Sequence, residues 1–275
     1  MSVSAAPAQP DDPTMAQSNA LLSVVAAEPA ALQSNNNQTK LKARQATKLT
    51  RKTQPPRQQI DMLVALHSQG RFAEAQTLAR SLTIRFPQHA LGWTLLGAVL
   101  QQQGRFEEAL LPLQTAAELL PQDAAAQGNL GLVLNALGRL PQAEASYRRA
   151  LALKPAYAAA QGNLGVLLRN QGRYAEAEMR YRRALELKPN DAVMHGNLGT
   201  LLQDQGRLAE AEARYRRVLE LKPDDAVVHS ALLFTLSQNE AVDATALFAE
   251  HCRFGAQFEA PLRSQWQPHS NSRAP

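Results

Sequence analysis

The stretch AAAQGNLGVLLRNQGRYAEAEMRYRRALELKPND, Ala158–Asp191, decides the fold because it recurs on both sides of itself. From Ala124 the chain reads AAAQGNLGLVLNALGRLPQAEASYRRALALKPAY, and from Ala192 it reads AVMHGNLGTLLQDQGRLAEAEARYRRVLELKPDD. Pro87, Pro121, Pro155, Pro189 and Pro223 are spaced 34 residues apart, as are Gly70, Gly104, Gly138, Gly172 and Gly206. A fixed period of this size marks a supersecondary unit stacked in tandem.

Each unit reads as two short helices. Leu164, Leu167 and Leu168 form an i, i+3, i+4 apolar stripe, the first helix. Gly165 lies on the same side and, lacking a Cβ, lets a second helix approach. Gly172 stands where that helix should end in a left-handed residue. Tyr174, Ala177, Tyr181, Ala184 and Leu185 form the second stripe. Pro189 then stops the helix, and Asn190–Asp191 supply a turn. Two such helices cannot bury a core alone, so neighbouring units must stack.

The pattern resembles the tetratricopeptide repeat (TPR). Its Trp-x-x-Leu-Gly signature stands as Trp93, Leu96 and Gly97, and Leu-Gly recurs at Leu130–Gly131, Leu164–Gly165 and Leu198–Gly199. The small residue of the second helix is Ala75, Ala109, Ala143, Ala177 and Ala211, with Tyr147, Tyr181 and Tyr215 four positions on. The resemblance implies an all-α, right-handed superhelical solenoid of helix pairs. Five repeats are expected at 56–89, 90–123, 124–157, 158–191 and 192–225. A degenerate sixth repeat with a capping helix follows over 226–260, capped by Asp243 and helical from Ala244 to about Phe258. A polar tail or linker closes the chain over 261–275. Residues 1–55, rich in Ala, Pro, Gln, Ser and Asn, are expected to be disordered.

The net charge of +5 is concentrated at one end. Lys40, Lys42, Arg44, Lys48, Arg51, Lys52 and Arg57 face only Asp11, Asp12 and Glu28 in the first 57 residues. The remainder is nearly neutral. The basic run reads as a solvated linker; an arm for nucleic acid or acidic lipid is disfavoured, since no aromatic residue interleaves the charges for base stacking. The absence of Lys and Arg before Ala20 argues against a secretory signal, and no apolar run is long enough for a membrane span. Cys252, the single cysteine, is expected as a packed residue and fits a reducing, cytoplasmic setting. Glu144, Glu178 and Glu212 precede Arg148, Arg182 and Arg216 by four, which predicts ion pairs along a solvated helix face. Pro112 falls inside a second helix and should kink it, whereas Pro141 lies near a helix start.

No phosphate loop, zinc motif or catalytic set is present, so neither an active site nor a cofactor is expected. His195 and His229 occupy the same place in successive repeats and read as packing or edge residues. The informative set is Asn129, Asn163 and Asn197, each within Gly-Asn-Leu-Gly. In TPR geometry this place faces the concave groove. Gly128, Gly162 and Gly196 before them should keep the groove wall low, and Asn135, Arg169, Asn170, Gln203 and Asp204 continue the polar lining. An amide side chain offers one acceptor and two donors, so a ladder of them suits the backbone of an extended peptide or protein segment. The competing reading is that these asparagines bond a neighbouring helix.

Gly-Asn-Leu-Gly with Tyr-Arg-Arg-Ala-Leu-Glu-Leu-Lys-Pro, and the segment His229–Pro275 with its Phe-Ala-Glu-His and Phe-Glu-Ala-Pro-Leu pieces, resemble the repeat region and linker of protein O-GlcNAc transferases and SPINDLY-like proteins of glycosyltransferase family 41. The resemblance implies the substrate-recognition arm of a UDP-sugar glycosyltransferase, without its catalytic lobes. In that family, asparagines matching Asn129, Asn163 and Asn197 contact the substrate backbone. Asp61, Leu95 and Ala231 depart from the pattern in the first, second and sixth repeats. The alternatives are a free-standing TPR adaptor or assembly factor, an anion-binding protein acting through Lys40–Arg57, and a homodimer through the convex face.

Overall fold

The computed structural model describes residues 54–265. The expectations for residues 1–53, including the basic run up to Lys52, and for 266–275 lie outside them. The described chain is all-α and holds twelve α-helices: α1 (Arg57–Ser68), α2 (Phe72–Arg85), α3 (Ala90–Gln102), α4 (Phe106–Leu119), α5 (Ala124–Ala136), α6 (Leu140–Leu153), α7 (Ala158–Asn170), α8 (Tyr174–Leu187), α9 (Ala192–Asp204), α10 (Leu208–Leu221), α11 (Ala226–Gln238) and α12 (Ala244–Phe254). They fall into two compact units that divide between Leu167 and Leu168, near the end of α7.

The turn inside each repeat is set by glycine. Gly70, Gly104, Gly138, Gly172 and Gly206 all adopt φ between 70° and 75°. The next residue, always arginine, donates its backbone N–H to a carbonyl five residues back, as Arg173 does to Leu168 at 2.9 Å and Arg207 to Leu202 at 2.9 Å. This 6→1 bond with a left-handed residue satisfies a carbonyl the helix leaves open. Aspartate starts several first helices. Asp123 Oδ1 accepts from the Ala125 N–H at 2.8 Å, Asp191 Oδ1 from Met194 at 3.1 Å and Asp225 Oδ1 from Val228 at 3.0 Å.

In the first unit α1 packs on α2, α3 on α4 and α5 on α6, while α2–α3 and α4–α5 join successive pairs. In the second unit α9 packs on α10, α10 on α11 and α11 on α12. The Leu-Gly signature works through close approach. A Cβ on Gly131 would stand 2.8 Å from Tyr147 Cδ1, and one on Gly199 would stand 2.8 Å from Tyr215 Cε1. Each tyrosine is buried against its own repeat's first helix because that helix lacks a side chain there. In α3 and α4 the same place pairs Gly97 with Leu113.

The helix over 106–119, where Pro112 is expected to cause a kink, is a single α-helical element with Pro112 buried inside it. The missing N–H leaves the Glu108 carbonyl without its helical donor, a loss that burial of the proline ring on the core face offsets. The capping helix remains α-helical only to Phe254; Gly255–Glu259 form a wider π-helical turn and Ala260–Gln265 a 3₁₀ helix. That turn places both Phe254 and Phe258 edge-on to His229, with centroid distances of 5.3 Å and 5.8 Å.

Candidate functional site

The three asparagines do not share one environment. Asn129 on α5 is buried, 8% exposed, and its amide nitrogen Nδ2 has no hydrogen-bond partner. Asn163 on α7 and Asn197 on α9 are half-buried. The flanking glycines differ as well. A Cβ on Gly196 would meet nothing within 4 Å, which leaves the surface before Asn197 open. A Cβ on Gly128 would lie 3.0 Å from Tyr157 Cε1 and 3.4 Å from its hydroxyl. The expectation of a low wall before Asn129 is therefore corrected: Tyr157 fills it. This residue stands where Asp123, Asp191 and Asp225 cap other repeats, so an aromatic ring replaces a cap. Lys154 Nζ lies 5.7 Å from the centre of that ring.

The remaining polar residues sort by repeat. Asn135 is half-buried and Asn170 is exposed. Arg169 and Asp204, placed on α7 and α9, are brought together: Nε and Nη2 of Arg169 lie 2.9 Å and 2.8 Å from Asp204 Oδ2. Gln203 is partly engaged from behind, since the Tyr215 hydroxyl donates to its Oε1 at 2.8 Å. Thr235 approaches the same oxygen at 3.3 Å but donates at 2.8 Å to the Ala231 carbonyl, the shorter bond. Gln203 thus keeps its amide N–H groups for other partners. The Tyr181 hydroxyl is buried with no partner. Burial pushes it up to about 12, with Asp204 adding to the shift and Arg169 opposing it.

Two structural roles escaped the sequence reading. The first is a donor six residues after three of the turn prolines. Trp93 Nε1 donates to the Pro87 carbonyl at 2.8 Å, Gln161 Nε2 to Pro155 at 3.2 Å and His195 Nε2 to Pro189 at 2.9 Å. Their 34-residue register was visible, but a Trp, a Gln and a His share no residue type. They share only a ring or amide N–H. The second is the arginine after each turn glycine. Arg207 Nη1 donates to Glu178 Oε1 and Oε2 at 2.8 Å and 2.9 Å, while its Nε and Nη2 hold Glu210 at 2.7 Å. Arg105 likewise joins Gln76 to Glu108. These arginines tie one second helix to the previous one. The expected i,i+4 pairs form too, at 2.6 Å for Arg148–Glu144, 2.6 Å for Arg182–Glu178 and 2.9 Å for Arg216–Glu212.

His229 departs from the donor series. Its Nε2 lies 2.9 Å from Glu250 Oε1, and both residues are buried. Glu250 Oε2 also accepts from Arg253 at 2.8 Å and lies 3.6 Å from Arg216. The Pro223 carbonyl, freed from His229, accepts from Gln257 Nε2 at 2.8 Å. The packing role expected of the two histidines becomes a hydrogen-bonding one. Cys252 is exposed rather than packed, because Glu250 and not Cys252 faces α11. Among the described residues no group of His, Cys, Asp and Glu is arranged to hold a metal ion, and no helix is long and apolar enough to cross a membrane.

Helix pairs with a left-handed glycine, a Leu-Gly contact and a 34-residue repeat define an all-α solenoid of hairpin units. Models of the tetratricopeptide repeat match residues 64–81, 88–156, 122–190, 156–224 and 197–257, together more than half of the chain, which belongs to the tetratricopeptide-repeat family. No curated protein matches the chain at a significant level. Among solved structures it is similar to PilW, a type IV pilus biogenesis factor, with a TM-score of 0.64 and 19% identity over 73% of this chain and 92% of that one. It is similar to pilF of Pseudomonas aeruginosa, with a TM-score of 0.63 and 18% identity over 75% and 93% of the two chains. It is also similar to a chain of the APC/C hetero-tetramer Cut9-Hcn1, at 0.63 and 20% identity over 73% of this chain, but spans only 40% of that one. At these identities the likeness is one of fold.

Proposed function

We propose that the chain is a protein-binding scaffold that holds extended peptide segments along its first helices, through the backbone contacts of Asn129 and Asn163 in the first unit and of Asn197 in the second. The observation that carries this reading is Asn129, a buried amide whose N–H donors lack a partner. A buried unsatisfied donor costs about 1–3 kcal/mol, which a peptide carbonyl would recover. Were the asparagines structural, Asn129 should be bonded to a neighbouring helix. Replacing Asn129, Asn163 and Asn197 together by alanine should abolish capture of extended peptides from a random-sequence display library while leaving the thermal melt nearly unchanged. A large fall in melting temperature with binding retained would return these residues to a structural role.

Two finer readings differ in what the scaffold serves. The resemblance of His229–Pro275 to a repeat-to-catalytic linker favours the substrate-recognition arm of an O-GlcNAc-transferase-like protein. The likeness to PilW and pilF, whose chains are covered to 92% and 93%, favours a free-standing adaptor or assembly factor. An antibody against the repeats separates them: a native band well above 30.0 kDa supports the first, and a band at that size supports the second.

A further inference from the structure

Arg169 and Asp204 are the one oppositely charged pair at their places in the repeat. The equivalent cross-repeat pairs are His67–Gln102, Gln101–Ala136, Asn135–Asn170 and Gln203–Gln238. Both side chains remain about a third exposed, 30% and 37%, so the pair adds little to the stability of the fold. Both contacts fall on one oxygen, Oδ2, so Asp204 Oδ1 and Arg169 Nη1 take no part in the pair. The Tyr181 hydroxyl, buried and without a partner, lies within the electrostatic reach of both charges. A cheap, half-exposed pair with unused capacity on each member, over an unfinished hydrogen bond, is arranged for a ligand rather than for the core.

We propose that Arg169 and Asp204 select, among extended peptides, those carrying one acidic and one basic residue two positions apart, the acid on Arg169 and the base on Asp204. This rests on the groove reading above. Residues i and i+2 of an extended strand project to one side, roughly 6.8 Å apart, on the order of the width of a side-by-side ion pair with its outer partners. The four charges then alternate in a row, each beside its opposite. A peptide with only an acid brings it close to Asp204, and one with only a base brings it close to Arg169, so each gains less. The preferred order, acid-x-base or base-x-acid, follows from the direction in which the peptide lies.

The test uses five fluorescein-labelled peptides with a common Ser/Gly/Ala frame and Glu-x-Lys, Lys-x-Glu, Glu-x-Gln, Gln-x-Lys or Gln-x-Gln at the centre. Their binding to the full chain is read by fluorescence anisotropy. One order of the mixed pair should bind about 5–10-fold more tightly than Gln-x-Gln, the size of a partly exposed charge pair made twice. The double reversal Arg169→Asp with Asp204→Arg keeps the ion pair and should invert the preferred order. Equal binding of all five peptides, or an order preference unchanged by the reversal, overturns the proposal and leaves the groove reading standing. Loss of binding by every peptide, the neutral one included, overturns both.

Discussion

Helices α10 and α12 hold the same place in successive repeats and bury different faces. In α10 the buried residues are Ala211, Tyr215 and Val218. Their counterparts 34 residues on, Thr245, Ala249 and Cys252, are all exposed in α12, and Phe248 beside them is 69% exposed. The one buried residue of α12 is a charged one, Glu250, at 5% exposure. The difference traces to the turn. Gly206 reverses the chain at φ 72° ahead of α10, whereas Glu240 stands at that place ahead of α12 and no left-handed residue follows α11. Without that turn the second helix enters rotated. Polar contacts to His229, Arg216 and Pro223 replace the tyrosine packed on a Leu-Gly step. The family's geometry is thus held by the turn and the glycine step, and the helix register alone does not enforce it.

The largest effect should come from breaking the polar attachment. Glu250→Ala would leave His229 buried without its carboxylate and Arg253 without its partner at 2.8 Å, while Arg216 keeps Glu212. A buried polar group left without its partner costs about 1–3 kcal/mol, and the ion pair to Arg253 is lost with it. Because α12 buries so little else, the loss should appear locally. Hydrogen exchange over 244–259 should accelerate strongly while α9 and α10 keep their protection. Equal loss of protection in α10 would show that the cap is integral to the repeat before it.

A second variant probes the other side of the comparison. Gly199→Ala places a methyl 2.8 Å from the ring of Tyr215, which is packed too tightly to retreat. Overpacking of this kind costs about 1–3 kcal/mol. Denaturant titration should show that loss, and Gly199→Ala with Tyr215→Leu, the pairing nearer that of Gly97 with Leu113, should recover part of it. A smaller effect is expected at the start of α11. Asp225→Ala removes the acceptor for the Val228 N–H and should cost about 1 kcal/mol.

The repeats were legible because their markers act locally. A glycine that must reverse the chain, a proline that must end a helix and a leucine stripe each declare themselves within a few residues. The sixth repeat was harder: its apolar residues were visible, but which face they presented depended on a turn with no such marker. Cys252 was expected inside for that reason. At the candidate site the sequence aligned a row of polar residues but did not show their partners. That Arg169 meets Asp204, that Gln203 is held by Tyr215 and that Tyr157 covers Gly128 are contacts across 12 to 35 positions. No single-helix pattern contains them.

The smallest effect is the most discriminating for function, because stability and binding should move in opposite directions. Gly128 and Gly196 precede the asparagines of their repeats, yet only Gly196 faces open space. Gly196→Ala sits in the middle of α9 at helical geometry and creates no clash, so it should stabilise the chain by about 0.5–1 kcal/mol through the lower entropy of the unfolded state. If the surface before Asn197 takes a peptide backbone, the added methyl occupies that approach. Peptide affinity should then fall several-fold in the same variant whose melting temperature rises. A rise in melting temperature with affinity unchanged would place the peptide elsewhere than over Gly196 and Asn197.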